Sequence, residues 1–220
     1  MKMVFRMLAA ALVMFATASH PAAAQNDAVR AYVQRQAAED LADRTGRVAA
    51  RWQALANAPG SPVLGNQAGS ITIVAFFDYA CPYCRAAEPR LMALARSDRR
   101  IRVVMKEFPI LTPESLIATR MALAASRQGK YEAFHNALMQ LPGRLDPAEM
   151  ERAARTLGLD MARLRRDMAG PQVNDEIIAN FNLARGIRAF QTPTYIVERR
   201  ILTQDSGEID FRREVNAARR

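Results

Sequence analysis

The stretch ITIVAFFDYACPYCR, residues 71–85, joins an apolar run to a short polar turn and then to the only two cysteines of the chain, Cys81 and Cys84. Ile71 to Phe77 is continuous, β-branched and aromatic, with no polar face, which suits a strand covered on both sides of a sheet. DYACPYC then turns into a helix. Pro82 suits a first helical position, where its fixed φ and missing N–H do no harm. Leu91, Leu94 and Ala95 fall on one face of that helix, and Pro89 inside the pattern predicts a kink. IRVVMKEF, residues 101–108, reads as a second strand. Strand, helix and strand in this order predict a βαβ unit, with the cysteines at its first strand–helix junction.

The rest of the chain is arranged around this unit. Residues 27–56 carry Val29, Val33, Leu41, Val48, Trp52 and Leu55 at helical spacings, with Gly46 interrupting. They predict a helical extension in one or two pieces, either packed on the main domain or free to form a helix–helix seam. NAPGSPVLGNQAGS, residues 57–70, reads as a turn-rich linker. Residues 113–187 read as consecutive helices, with Asp146 as an N-cap and Glu149 completing a capping box. Then come a Thr-Pro turn, a strand over Thr194–Val197, a short strand near Ile201 and a C-terminal helix. The segment ERRI between the two strands lacks glycine and predicts an irregular turn. The order is βαβ, a helical block, then ββα, an α/β fold.

Composition sets the outer bounds. At 220 residues, 50% hydrophobic and 24% charged, the chain is long and apolar enough to fold around a core. Its start is different. Lys2 and Arg6 precede a twelve-residue apolar run, Met7 to Ala18, and HPAAAQ follows with Ala22 and Ala24 where a cleavage site needs small residues. This is the pattern of a secretory signal peptide over residues 1–24, cleaved after Ala24. The run is too short to span a bilayer, which takes about 20 apolar residues. The expected product is a soluble, exported, periplasmic protein. The net charge of +9 comes mostly from arginine. No aromatic residues interleave with these runs to stack bases, so they read as a solvated basic surface rather than a nucleic-acid site.

Export gives the cysteines their context, an oxidising compartment in which disulfides persist. A staple between Cys81 and Cys84 closes a tiny loop and adds little stability. A zinc site needs about four ligands, and after cleavage His135 is the only histidine left. The redox reading gains as these two weaken.

At this point the chain resembles the DsbA family of thiol–disulfide oxidoreductases. VAFFDYACPYCR, KEFPIL, LARGIRAFQTPTYIV, the leader and the helical block carry the match, over roughly residues 62–218. Within the family it is most similar to proteins of the ScsC and Com1 type, which have an N-terminal helical extension. The resemblance implies a thioredoxin-like fold with a helical insertion at about 112–187, inside a domain over 61–220 that follows an extension over 25–60, a candidate oligomerisation arm. It implies protein disulfide oxidase or isomerase activity through Cys81 and Cys84, which close a redox disulfide tuned by Pro82 and Tyr83. Thr192 and Pro193 then form a substrate-binding loop with a cis peptide bond, whereas on residues alone an ordinary trans bond at a strand start is the commoner case. Thr before this proline is typical of the isomerase and ScsC-like branches. No cofactor or resident metal is implied. The implied partners are cysteine-containing exported proteins, a membrane redox partner of DsbB or DsbD type, and a second copy through the N-terminal helices.

The chemistry also follows from the residues. Cys81 at a helix N-terminus faces unpaired N–H groups and the positive end of the dipole, which lowers its pKa. It is expected to be the exposed, attacking cysteine, and Cys84, one turn on, the resolving one. Two departures from the family stand out. Ala75 replaces a buried acid under the active site, and Gln191 replaces a glycine before Thr-Pro. Lys106 and Glu107 are candidates to stand in for that acid, although a surface ion pair is the simpler expectation. His135 is expected on an outer helix, and Met92, Met105, Met121 and Met139 as core filler. A second function class remains open, a copper-handling protein whose reduced thiols bind Cu(I) as soft ligands.

Overall fold

The computed structural model describes residues 21–202 and 209–218, with side chains from residue 29 onward. The expected signal peptide lies outside them through residue 20. Two compact units are present, one ending at Asp40 and the other beginning at Leu41. Helix α1 (Pro21–Ala50) runs through Gly46 without a break. Up to Asp40 it is polar, with Val29, Tyr32 and Val33 exposed on its surface.

The second unit holds a five-stranded sheet of order β1-β3-β2-β4-β5. Its strands are β1 (Val63–Gly65), β2 (Ile71–Phe77), β3 (Ile101–Glu107), β4 (Thr194–Val197) and β5 (Arg200–Leu202). β2 and β3 run parallel, with Ala75 opposite Met105 and Phe77 opposite Glu107, and the other pairs are antiparallel. The parallel pair is joined through α3 (Pro82–Ser97), as the sequence predicts. β1 corrects the reading of residues 57–70 as linker only. Its three residues are too short to show alternation, yet they pair with Arg102–Val104 and close one edge of the sheet.

β2 is buried along its whole length because both faces of the sheet are covered. On one face Ile71, Ile73, Ala75 and Phe77 pack with Leu91 and Ala95 of α3, with Phe211 and Val215 of α9 (Phe211–Ala217), and with the helical insertion. That insertion is α4 (Pro113–Ser126), α5 (Tyr131–Gln140), α6 (Pro147–Thr156) and α7 (Met161–Met168), followed by α8 (Pro171–Gly186). On the other face Val74, Phe76, Val104 and Ile196 pack with Ala184 and with Val48 and Leu55, from the end of α1 and from α2 (Trp52–Ala56). Those last turns therefore belong to the core. Met92, Met105, Met121 and Met139 all lie in the first cluster as filler.

Two local expectations are corrected. The turn after β4 is a tight two-residue connection, Glu198–Arg199, with Val197 opposite Arg200. Glu198 takes φ 53° without being glycine. Its amide donates to Thr72 O at 2.8 Å and its carboxylate accepts from Thr72 N at 2.6 Å, two bonds that hold the left-handed residue against β2. The capping box falls at α4, between Thr112 and Ser115, rather than at α6, where Asp146 caps Ala148 N.

Candidate active site

The site is built on the turn that leaves β2. Asp78 is fully buried and accepts four hydrogen bonds through its side chain. Oδ1 takes Ala80 N at 2.7 Å and Ser115 Oγ at 2.6 Å, and Oδ2 takes Ile110 N at 2.8 Å and Leu111 N at 3.0 Å. Its carbonyl takes Cys81 N at 3.1 Å. One short acid thus closes the cysteine turn and ties it to the loop after β3 and the start of α4. Only its place just after the buried strand marked it in the sequence.

Cys81 is the N-cap of α3, with Pro82 at the first helical position. Its sulfur accepts from Cys84 N at 3.3 Å, so an orphan helix donor points at it. Across the cleft the thiol lies 3.3 Å from the carbonyl of Thr192, whose bond to Pro193 is cis. Both cysteines are unbonded thiols. The Cys81 thiol is pulled down to about 6, first by the Cys84 thiol's hydrogen bond and then by Thr192 and the amides of Cys84 and Tyr83, against burial. Burial pushes the Cys84 thiol far up, helped by the Cys81 sulfur as hydrogen-bond partner and charge. The two thiols are therefore set apart in acidity.

The expectation of an exposed Cys81 is corrected. The residue is 2% exposed, with the Thr192 carbonyl close over the sulfur, whereas Tyr83 beside it is 64% exposed. The bond between Thr194 Oγ1 and Gln191 O, at 2.8 Å, holds the turn into β4, and Gln191 itself points to solvent.

The charged pair at the end of β3 is not at the surface either. Lys106 and Glu107 are both fully buried, and as strand neighbours they enter opposite faces of the sheet. Lys106 lies on the face away from the cysteines. Its Nζ donates to Ser61 Oγ at 2.7 Å and to Ala54 O at 3.3 Å, and Ser61 Oγ donates to Glu176 Oε1 at 2.5 Å. Burial lowers Lys106 to about 8 against the pull of Glu176.

Glu107 lies on the cysteine face. Its Oε1 accepts from the hydroxyls of Tyr79 and Tyr131, each at 2.9 Å, and Oε2 from Thr119 Oγ1 at 2.9 Å. Burial raises it to about 7, against His135 and these three hydroxyls. Nor does His135 lie on an outer helix surface. It is fully buried, stacked on Tyr131 at 5.5 Å and edge-on to Phe77 at 5.1 Å. Its Nδ1 is 2.9 Å from Tyr79 Oη and its Nε2 is 2.9 Å from Glu88 Oε1. Glu88, on α3, is also buried. A continuous buried chain thus runs Glu107–Tyr79–His135–Glu88. Sequence reasoning passed over Glu88, although it stands on the apolar face of α3, four residues beyond Cys84 and three before Leu91.

The model of the DSBA-like thioredoxin domain matches residues 72–213 of this chain. A thioredoxin-like oxidoreductase from Silicibacter pomeroyi DSS-3 is 42% identical, with TM-score 0.72, over 76% of this chain and 96% of that one. The catalytic domain of Proteus mirabilis ScsC is 25% identical, with TM-score 0.69, over 77% of this chain and 93% of that one. Among curated proteins, the Na(+)/H(+) antiporter NhaA 3 of Salinispora tropica is 31% identical over 140 residues, 63% of this chain. The match spans only 22% of that relative's length.

Proposed function

Since this chain belongs to the family of DSBA-like thioredoxin domains, we propose that it is a thiol–disulfide oxidoreductase working through Cys81 and Cys84. Cys81 is the nucleophile. Its thiolate attacks a disulfide of the substrate, and Cys84 resolves the mixed disulfide by forming the Cys81–Cys84 bond; in the other direction the protein donates that bond. The observation that carries this reading is the helix-capping thiol drawn down to about 6 beside a buried partner thiol pushed up. Pro82 and Tyr83 shape the first turn around it. The cis Thr192–Pro193 loop offers backbone beside Cys81 for an extended substrate chain. Exposed Tyr83, Ile110, Leu111 and Phe190 give apolar footing on the segments that border the two thiols.

The substrates in this reading are cysteine-containing exported proteins, and the compartment is the periplasm, on the strength of the leader pattern in residues 1–24. A membrane partner of DsbB or DsbD type, the kind the family resemblance implies, resets the dithiol in this reading. Thr192 before the proline and the helical extension favour isomerase work by an oligomer over simple oxidation. The test is exchange with a peptide disulfide, followed by refolding of a scrambled multi-disulfide protein and sedimentation of the full chain. Loss of exchange in Cys81→Ser is expected. A protein that exchanges no disulfide, or a Cys81→Ser variant that still does, sinks the reading. A monomer that refolds nothing leaves the oxidase role and removes the isomerase one.

A further inference from the structure

Whichever way the electrons flow, Cys84 has to lose or gain a proton in a site that excludes water. It is 1% exposed. The strand beneath offers it no acid, because Ala75 stands there, opposite Met105 and Tyr195. One turn along α3 from Cys84 stands Glu88. Residues four apart on a helix share a face, so Glu88 and Cys84 stand one turn apart on the same side of α3. The phenol of Tyr195, on the same face of the sheet, feels the charges of Cys84, Glu88 and Cys81 together. Glu88 also borders a surface pocket of about 230 Å³ with Arg85, Met92, Arg96 and Asn136, a way out to water.

We propose that Glu88 exchanges the proton of Cys84, and that His135, Tyr79 and Glu107 are positioning residues that hold Glu88 and share its proton along their chain of hydrogen bonds. This rests on the dithiol reading above. Each link is short: 2.9 Å from Glu88 to His135, 2.9 Å from His135 to Tyr79, and 2.9 Å from Tyr79 to Glu107. At its inner end Glu107 sits at about 7, where a carboxyl takes up and releases protons under ordinary conditions.

The step balances as follows. Cys81 thiolate attacks a disulfide RSSR′, forming the Cys81–SR bond and releasing R′S⁻. Cys84 passes its proton to Glu88, and its sulfur attacks Cys81 Sγ. The Cys81–Cys84 bond forms, the bond to R breaks and RS⁻ leaves. The substrate disulfide has gained two electrons and the protein dithiol has lost them. The proton leaves through Glu88 to the pocket or along the chain. In the oxidising direction Cys84 departs as thiolate and Glu88 returns the proton. The charged and titratable groups around Glu88 are Cys84, Arg85 and Arg96 of α3, His135 and Tyr131 of α5, and Tyr195 of β4, with Tyr79 and Glu107 behind His135.

Stopped-flow reaction with a peptide disulfide that releases a different chromogenic thiol in each step separates the attack of Cys81 from the closure by Cys84. In Glu88→Gln, which keeps the size and a hydrogen bond to His135, the first step should stay within about twofold of the wild type. The second should slow at least about tenfold at neutral pH and recover as pH rises and hydroxide takes over the proton. Adding Ala75→Glu to that variant should restore the second step. If Glu88→Gln proves unstable, the wild type in deuterium oxide serves instead: slowing confined to the second step is expected, and equal slowing of both steps counts against proton transfer there. An E88Q second step with unchanged rate and pH profile, or both steps slowed alike, overturns the inference while leaving the dithiol reading intact. A wild type that performs neither step sinks both.

Discussion

At the residue scale, acidity separates the groups of the site. Cys81 caps a helix and shares the hydrogen bonds of its neighbours, so its thiolate should be half formed near pH 6 rather than at an ordinary thiol value. Alkylation of reduced protein by iodoacetamide, followed by mass spectrometry of the Cys81 peptide, should show this midpoint with Cys84 unmodified; a midpoint above 8 would contradict it. A thiolate held this way stabilises the dithiol, so the potential should lie between about −270 and −120 mV, and equilibration with glutathione measures it. Glu107 works in the opposite sense. Its folded pKa of about 7 lies above the ordinary 4.5, so the native state holds a proton that the unfolded chain releases. Stability from this group is therefore full below 4.5 and falls as pH rises through 7, at up to roughly 1.4 kcal/mol per pH unit. Urea midpoints of oxidised protein, in which Cys81 does not titrate, should fall over that window, and Glu107→Gln should flatten the slope. The thiols were legible in the sequence because spacing and context mark them. Glu107 was legible only as a candidate for the missing acid, and the surroundings of Asp78, Glu88 and His135 were not legible at all, because their partners lie 28 to 56 residues away in sequence.

At the element scale, local signals worked where one element could be read alone. β2 announced itself by an unbroken apolar run, α3 by Pro82 at its start, and β4 by the residues after Pro193. β1 stayed hidden because three residues carry no period and only the partner strand defines them. The β4–β5 turn misled because glycine usually supplies positive φ there, while here Glu198 takes it and is held by its own carboxylate on Thr72 N. This yields a paired prediction. Glu198→Ala and Glu198→Gly both lose that bond, but only glycine relieves the backbone, so the glycine variant should be more stable by about 0.5–1 kcal/mol. Denaturant unfolding of the two variants measures the difference, and an alanine variant equal to or better than glycine would contradict the account.

At the scale of the whole molecule, the sheet joins two different interiors, and the N-terminal segment contributes to one of them. Val48 and Leu55 are fully buried with Val74, Phe76 and Ile196, and Ala54 O accepts from the buried Lys106. A chain starting at Leu41 should therefore still fold cooperatively, because it keeps Val48 and Leu55. A chain starting at Ser61 should lose several kcal/mol, since emptying a single buried leucine site already costs about 2–5 kcal/mol; calorimetry of the two chains decides. Lys106 and Glu107 add a further consequence, for how the sheet finds its alignment. Side chains alternate along a strand, so sliding β3 by one residue would send the cation among the tyrosines and the carboxylate toward Ser61 and Glu176, like charge facing like. The two neighbours act as a lock and a mismatched key for every neighbouring register. Exchanging them, Lys106→Glu with Glu107→Lys, keeps composition and net charge yet should abolish cooperative folding seen by circular dichroism, and a double variant that folds normally would show that the apolar pattern alone sets the alignment.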